Sequence, residues 1–190
     1  MADPVTFEAV DEYINGLFVE SDPVLDLALG RAESAGLPDI SVSPGQGKLL
    51  YLLAKMICAR RIIEVGTLGA YSTIWLARAL PKGGDLLSLE LDVGHADVAR
   101  GTIEAAGLSD VCEIRVGPAL DAMKILDQPV DFVFLDANKE AYPAYLSQAV
   151  RLTRPGGLIV ADNVVRRGEV IAPEDLNPQA IGAAAFNQAL

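Results

Sequence analysis

Apolar residues recur at helical spacing along the first sixty positions, and past Arg61 the pattern changes to short apolar runs alternating with amphipathic stretches. In the early region, Asp22-Pro23 offers an N-cap followed by proline at the first helical position. Ser43-Pro44-Gly45-Gln46 is a capping box with proline at N1, opening LLYLLAKMICA. The helix between them is expected to stop near Gly36, with Pro38 just beyond. After Arg61, the runs RIIEV, DLLSLE, VCEIRV, VDFVFLD and GGLIVADN have strand length and are apolar or β-branched. Helix candidates YSTIWLARAL, HADVARGTIEAAG, ALDAMKIL and AYPAYLSQAVRL lie between them. Pro81-Lys82-Gly83-Gly84, Gly107, Gly117-Pro118 and Pro155-Gly156-Gly157 read as turns. This alternation predicts an α/β fold: a Rossmann-like, doubly wound, mostly parallel sheet with helices on both faces and an N-terminal helical extension. DFVFL, apolar throughout, fits a strand buried on both sides. The expected organisation is a single domain over 1–190, with a helical region at 1–58 and the core at 59–190.

Composition narrows the function without naming it. The chain is 51% hydrophobic and 22% charged, which is ordinary globular material. A net charge of −11 without a lysine–arginine run argues against nucleic-acid binding. The basic pairs Arg60-Arg61 and Arg166-Arg167 are expected to flank element ends. No apolar stretch is long enough for a bilayer, and the first residues, MADPVTFEAVDEYI, are acidic rather than signal-like. No membrane association and a cytoplasmic location are the expectation. Cys58 and Cys112 are read as small core residues rather than a disulfide.

In an open α/β sheet, ligands bind beyond the carboxyl ends of the strands. The first strand delivers Glu64-Val65-Gly66-Thr67-Leu68-Gly69 there, and the second delivers Glu90. Gly66 would let a ligand approach the backbone and Gly69 would relieve the strand-to-helix bend. Glu90, 21 residues after Gly69, stands where an acid can hold both ribose hydroxyls, or else is merely solvated beside a tight turn. A dinucleotide site would carry a glycine where Glu64 stands. A carboxylate there repels a diphosphate but suits S-adenosylmethionine, with its sulfonium and ammonium. The fourth strand ends in Asp136 with Lys139 following, and the fifth in Asp162-Asn163. Two carboxylates and an amide oxygen make a hard oxygen site for a divalent cation, Mg2+ first and Ca2+ or Mn2+ as alternatives. The competing reading has Asp162 and Asn163 capping a turn. Lys139 is either a surface residue or the group that takes a proton from a hydroxyl beside the cation. VVRRGEVIAPEDL, after Asn163, reads as a loop, either lying over the cation with Arg166 and Arg167 toward an acidic acceptor or merely solvated.

Together these motifs resemble the cation-dependent, catechol O-methyltransferase-like family, which includes plant caffeoyl-CoA O-methyltransferases and small bacterial enzymes. The resemblance runs from ISVSPGQGKLL through EVGTLGAYSTIWLARALP, SLELD, VGPALD and FLDANKE to VADNV. It implies that Glu64, Gly66, Thr67 and Ser72 surround the methionine part of S-adenosylmethionine, joined by the Val42 main chain. It implies Glu90 at the ribose, Ala119 by the adenine, and Asp136 near the methionine amino group. It also implies that Asp136, Asp162 and Asn163 bind the metal, that Lys139 is the general base, and that a homodimer methylates one hydroxyl of a vicinal aromatic diol.

Three departures stand out. Ala70 occupies a position where the family often has glycine, and is expected to crowd the cofactor. Asn138 replaces a frequent aspartate, with a bearing on specificity. The family's C-terminal antiparallel hairpin is absent from these residues, which close on PQAIGAAAFNQAL; a missing tail is the favoured explanation over an exposed fifth-strand edge. Three rivals remain at this point: a metal-independent methyltransferase, a nicotinamide-dependent dehydrogenase, and a non-catalytic cofactor-binding or interaction protein of the same fold.

Overall fold

The computed structural model describes residues 6–172 and 177–190. Three helices come first: α1 (Phe7–Phe18), α2 (Pro23–Ser34) and α3 (Pro44–Met56). Their starts follow from the caps. Asp22 accepts the amides of Val24 and Leu25, and Ser43 and Gln46 close both arms of a capping box at 3.3 and 2.8 Å. α2 stops at Ser34, and Gly36, at φ +71°, takes the left-handed conformation that ends it.

The remaining chain alternates β1 (Arg61–Val65), α4 (Tyr71–Ala79), β2 (Asp85–Glu90), α5 (Val93–Ala105), β3 (Cys112–Val116), α6 (Ala119–Ile125), β4 (Val130–Leu135), α7 (Tyr142–Leu152), β5 (Thr153–Ala161) and α8 (Pro178–Ala189). The five strands form one parallel sheet in the order β3-β2-β1-β4-β5. Successive β1 and β4 residues feed opposite layers. Ile62, Phe132 and Phe134 join one apolar cluster, whereas Ile63, Val65, Val133 and Leu135 join the other. Strand order reverses between β1 and β4, so the crevice for a ligand opens where Gly66 and Asp136 leave the sheet.

Asp131 secures the opposite end of the sheet. It accepts the Arg60 and Arg61 amides at 2.7 and 2.8 Å and pairs with Arg154. The basic pair thus flanks a strand, as expected. Two local readings are corrected. Pro155-Gly156-Gly157 lies inside β5, where the register on β4 slips between Val130–Thr153 and Phe132–Leu158. Among the described residues β5 pairs on one side only, where such an irregularity, and proline with it, is tolerated. The far side of β5 has no strand partner among the described residues. Cys58 is exposed at φ +52° in the turn after α3, not a core residue, while Cys112 is half-buried.

Candidate active site

The strand ends enclose a cavity of about 570 Å3. One half is lined by Val42, Gly66, Thr67, Ser72, Glu90 and Ala119, and the other by Asp136, Asn138, Lys139, Asn163, Arg166 and Gln179. Nearly all the residues singled out from the sequence therefore meet in one place. Glu64 and Asp162 are the exceptions among the predicted cofactor, metal and catalytic residues, and Gly69 and Ala70 of the first turn do not line the cavity either.

Glu64 is fully buried in β1, beneath the cavity floor. Its Oε1 accepts from Ser72 Oγ at 2.6 Å, and its Oε2 accepts from Thr73 Oγ1 at 2.5 Å and Ser88 Oγ at 2.6 Å. Ser88 is also 2.6 Å from Thr67 Oγ1. Burial pushes the Glu64 carboxyl up to about 7, against the pull of these three hydroxyls. Ser72 spends its one proton on Glu64, so its lone pairs are left for the cavity. Glu90 is buried too, not solvated beside the turn. Its Oε2 accepts the Thr67 and Leu68 amides at 3.0 and 2.9 Å, and its Oε1 accepts the Asp92 amide at 2.9 Å. Glu90 therefore shapes the β1–α4 turn while presenting its carboxylate to the cavity.

That turn revises the glycine argument. Gly66 has φ +98°, and a methyl group there would collide with the Asp136 carbonyl. The close approach that demands glycine is thus by β4 backbone rather than by a ligand. Leu68 and Ala70, not Gly69, take the left-handed conformation, at φ +50° and +70°. Ala70 is the N-cap of α4 and fully buried. Its cost is backbone strain of about 1–2 kcal/mol rather than crowding of a ligand. Ala70→Gly should therefore stabilise the protein by about 1 kcal/mol and raise Tm by about 2–4 °C. A thermal melt checks this, and an unchanged or lower Tm would reject the strain argument.

In the other half, neighbouring strand ends set the spacing. The Asp136 amide donates to Val65 O at 2.8 Å and the Asp162 amide to Leu135 O at 3.0 Å. Tyr142 ties the same ends from α7, with its hydroxyl 2.8 Å from Leu135 O and 3.1 Å from Asp162 O. Lys139 is only 5% exposed, and its Nζ donates to Asp136 Oδ1 at 2.8 Å. It is no surface lysine. Burial raises the Asp136 pKa, Lys139 opposes that, and the nearby Asp162 charge adds to it. Asn163 sits at φ +52°, and its amide donates to Asp162 Oδ1 at 2.6 Å. This turn holds one oxygen of the Asp162 carboxylate, as the capping alternative anticipated. Among the described residues no three His, Cys, Asp or Glu side chains cluster as metal ligands; the set here is two carboxylates and an amide.

The family profile for O-methyltransferases matches residues 20–190. A catechol O-methyltransferase of Niastella koreensis is 48% identical over 97% of this chain and 85% of its own. The chain belongs to the O-methyltransferase family. A Bacillus cereus O-methyltransferase solved in complex with S-adenosylhomocysteine superposes with a TM-score of 0.92 at 45% identity, covering 95% of this chain and 84% of that one. TomG of Streptomyces achromogenes, an O-methyltransferase of tomaymycin synthesis solved with S-adenosylmethionine, gives 0.91 at 43% identity, covering 96% and 83%. The chain is thus an S-adenosylmethionine-dependent O-methyltransferase, which removes the dehydrogenase and the non-catalytic protein as readings.

Within this O-methyltransferase the structure adds residues that the sequence did not single out. Thr73 and Ser88 complete the hydroxyl basket on Glu64. Ser88 pairs directly with Glu64 across β1 and β2, and a serine within the apolar run DLLSLE was the available signal. Gln179 of α8 accepts the Lys139 amide at 2.6 Å and donates to Glu140 at 3.0 Å. Gly182, one turn later, leaves no room for a methyl group against the Lys139 carbonyl. α8 thus clamps the 3-10 turn Lys139–Ala141. No local pattern pointed to it. The stretch VVRRGEVIAPEDL, expected as a loop, forms short 3-10 turns over Arg166–Ile171, and its last residues, 173–176, lie outside the described residues.

Proposed function

We propose that this O-methyltransferase moves the methyl group of S-adenosylmethionine to one hydroxyl of a vicinal aromatic diol, assisted by a divalent cation at Asp136, Asp162 and Asn163. The observation that carries the reading is the buried Lys139–Asp136 pair on the wall of the same cavity that Ser72 and Glu90 line. The donor set fits a hard cation. All three donors are oxygens, Mg2+ being the best match, and the burial and mutual repulsion that raise the Asp136 pKa are what a cation relieves. When bound, the cation stabilises negative charge on the hydroxyl oxygen that it faces.

The chain's own residues supply the rest. Glu64, acting through Ser72, gives the methionine end a negative floor that suits a sulfonium and an ammonium. Gly66 and Thr67 would border that end with the Val42 main chain, Glu90 would hold the ribose, and Ala119 would lie by the adenine. Lys139 Nζ is the group that would take the proton from the acceptor hydroxyl. The oxygen then forms its bond to the methyl carbon as the carbon–sulfur bond breaks, and the electron pair leaves with sulfur as S-adenosylhomocysteine. Alignment is the dominant contribution, since orienting reactants can remove ~7–11 kcal/mol of barrier. The test is incubation with S-adenosylmethionine and catechol-type phenols, with Mg2+ or with a chelator, followed by mass spectrometry. Methyl ether that forms with Mg2+ and disappears with chelator is the expected result. Chelator-insensitive product would support the metal-independent alternative instead.

The acceptor is a small phenol, and the partner protein we infer is a second copy. On α1, Val10, Tyr13, Ile14, Leu17 and Phe18 recur at helical spacing, yet Tyr13, Leu17 and Phe18 are 57–68% exposed. Such a stripe supports burial against a like surface. Sedimentation should show a dimer that Leu17→Glu weakens; a monomeric wild-type protein would remove the dimer from the reading. No described helix is long and apolar enough to cross a membrane, which is compatible with the cytoplasmic location we infer.

A further inference from the structure

We infer that Arg166 is a specificity residue that binds a carboxylate on the acceptor, so that the preferred substrate is an acidic catechol rather than a neutral one. The inference rests on the methyltransferase reading above and adds the acceptor's chemical class.

Arg166 lines the same half of the cavity as Asp136, Lys139 and Asn163. Its Nε is enclosed by protein and has no hydrogen-bond partner among the described residues. Among the described residues it makes no ion pair, whereas Lys139, the other cation on that wall, is taken by Asp136. The enclosed Nε is out of a ligand's reach, but the terminal nitrogens make no bond to a described residue and keep donor capacity that a planar carboxylate matches. The backbone is bent to hold it there. Arg166 and Arg167 both adopt left-handed conformations, at φ +47° and +54°, and Gly168 follows at +90°. Non-glycine residues resist that conformation, and adjacent strained residues concentrate at ligand sites. α8 fixes the flanks of the bend: Asn187 donates to Val164 O at 2.8 Å, and Asn177, its N-cap, donates to Glu169 at 2.6 Å. Only Arg166 of the pair lines the cavity, and Arg167 is exposed. With a net charge of −11 the protein repels anions at long range. An acidic acceptor therefore needs a local cation of this kind.

The experiment compares kcat/KM for 3,4-dihydroxybenzoate and 4-methylcatechol in wild type, Arg166→Gln and Arg166→Lys, with S-adenosylhomocysteine affinity as the check on the cofactor half. The wild type should favour the acid. Arg166→Gln should lower kcat/KM for the acid, through KM, by about tenfold more than for 4-methylcatechol, the loss of one charge-assisted contact. Arg166→Lys should recover part of that difference. Equal losses on both acceptors, or none, would overturn the assignment. So would a wild type that favours 4-methylcatechol, even if neither variant folds. A wild type that methylates neither compound removes the catechol reading itself, and the role of Arg166 with it.

Discussion

Asp136→Asn is expected to lower kcat by at least about a thousandfold, while S-adenosylhomocysteine binding changes far less. The substitution keeps the shape of the side chain and an oxygen that can accept from Lys139 Nζ, so packing around the pair survives. What it removes is the charge. The proposed cation loses a ligand, and the neighbouring ammonium loses its counter-ion. Asp136→Ala should be equally inactive but less stable, because it leaves Lys139 buried with no acceptor; breaking such a pair costs about 3–5 kcal/mol. Comparing the two variants by turnover and by thermal melt separates chemistry from folding. An Asp136→Asn enzyme with near-normal activity in the presence of chelator would refute the metal assignment.

Glu64→Gln should have opposite effects on stability and on binding. Burial holds the Glu64 carboxyl at about 7, above its ordinary 4.5. The folded chain therefore binds more protons than the unfolded chain between those values, and stability falls as pH rises through that window. Above pH 7 the destabilisation is fully present, on the order of 3 kcal/mol; below about 4.5 it is gone. Glutamine never ionises, so the variant should melt higher than wild type at pH 8 and match it near pH 4.5. Cofactor binding should move the other way. A sulfonium and an ammonium above the Ser72 hydroxyl favour the ionised carboxylate. Wild-type affinity for S-adenosylmethionine should thus climb with pH through about 7, and the variant should bind at least about tenfold more weakly with a flatter profile. Calorimetry at several pH values decides it: a variant that binds as tightly as wild type at pH 8 would show that Glu64 only supports the fold.

What the sequence made legible follows the range of the interactions involved. RIIEV and DLLSLE match β1 and β2 residue for residue, because an apolar run bounded by turn chemistry is a local signal. The caps at Asp22 and Ser43 are local as well. The rim residues could be gathered because parallel strands all deliver their carboxyl ends to one side. Interactions between distant segments left little trace. Gly66 reads as a ligand-facing glycine until the Asp136 carbonyl is seen against it. Ala70 reads as a crowding methyl until its left-handed backbone is known. The capture of an Asp162 oxygen by its own turn depends on a backbone angle at Asn163 that its residue type permits but does not dictate. The slip in β5 accommodates Pro155 and two glycines that in isolation spell a turn.

The clamp on the Lys139 turn has a consequence for synthesis. Gln179 meets Lys139 across a separation of 40 residues, so α8 is made after the turn that it holds. Chains grow at about 5–20 residues per second, so seconds pass between synthesis of the Lys139 turn and arrival of the helix that secures it. A ribosome-stalled chain ending before Pro178 would carry the Lys139 turn without the Gln179 and Gly182 contacts that hold it.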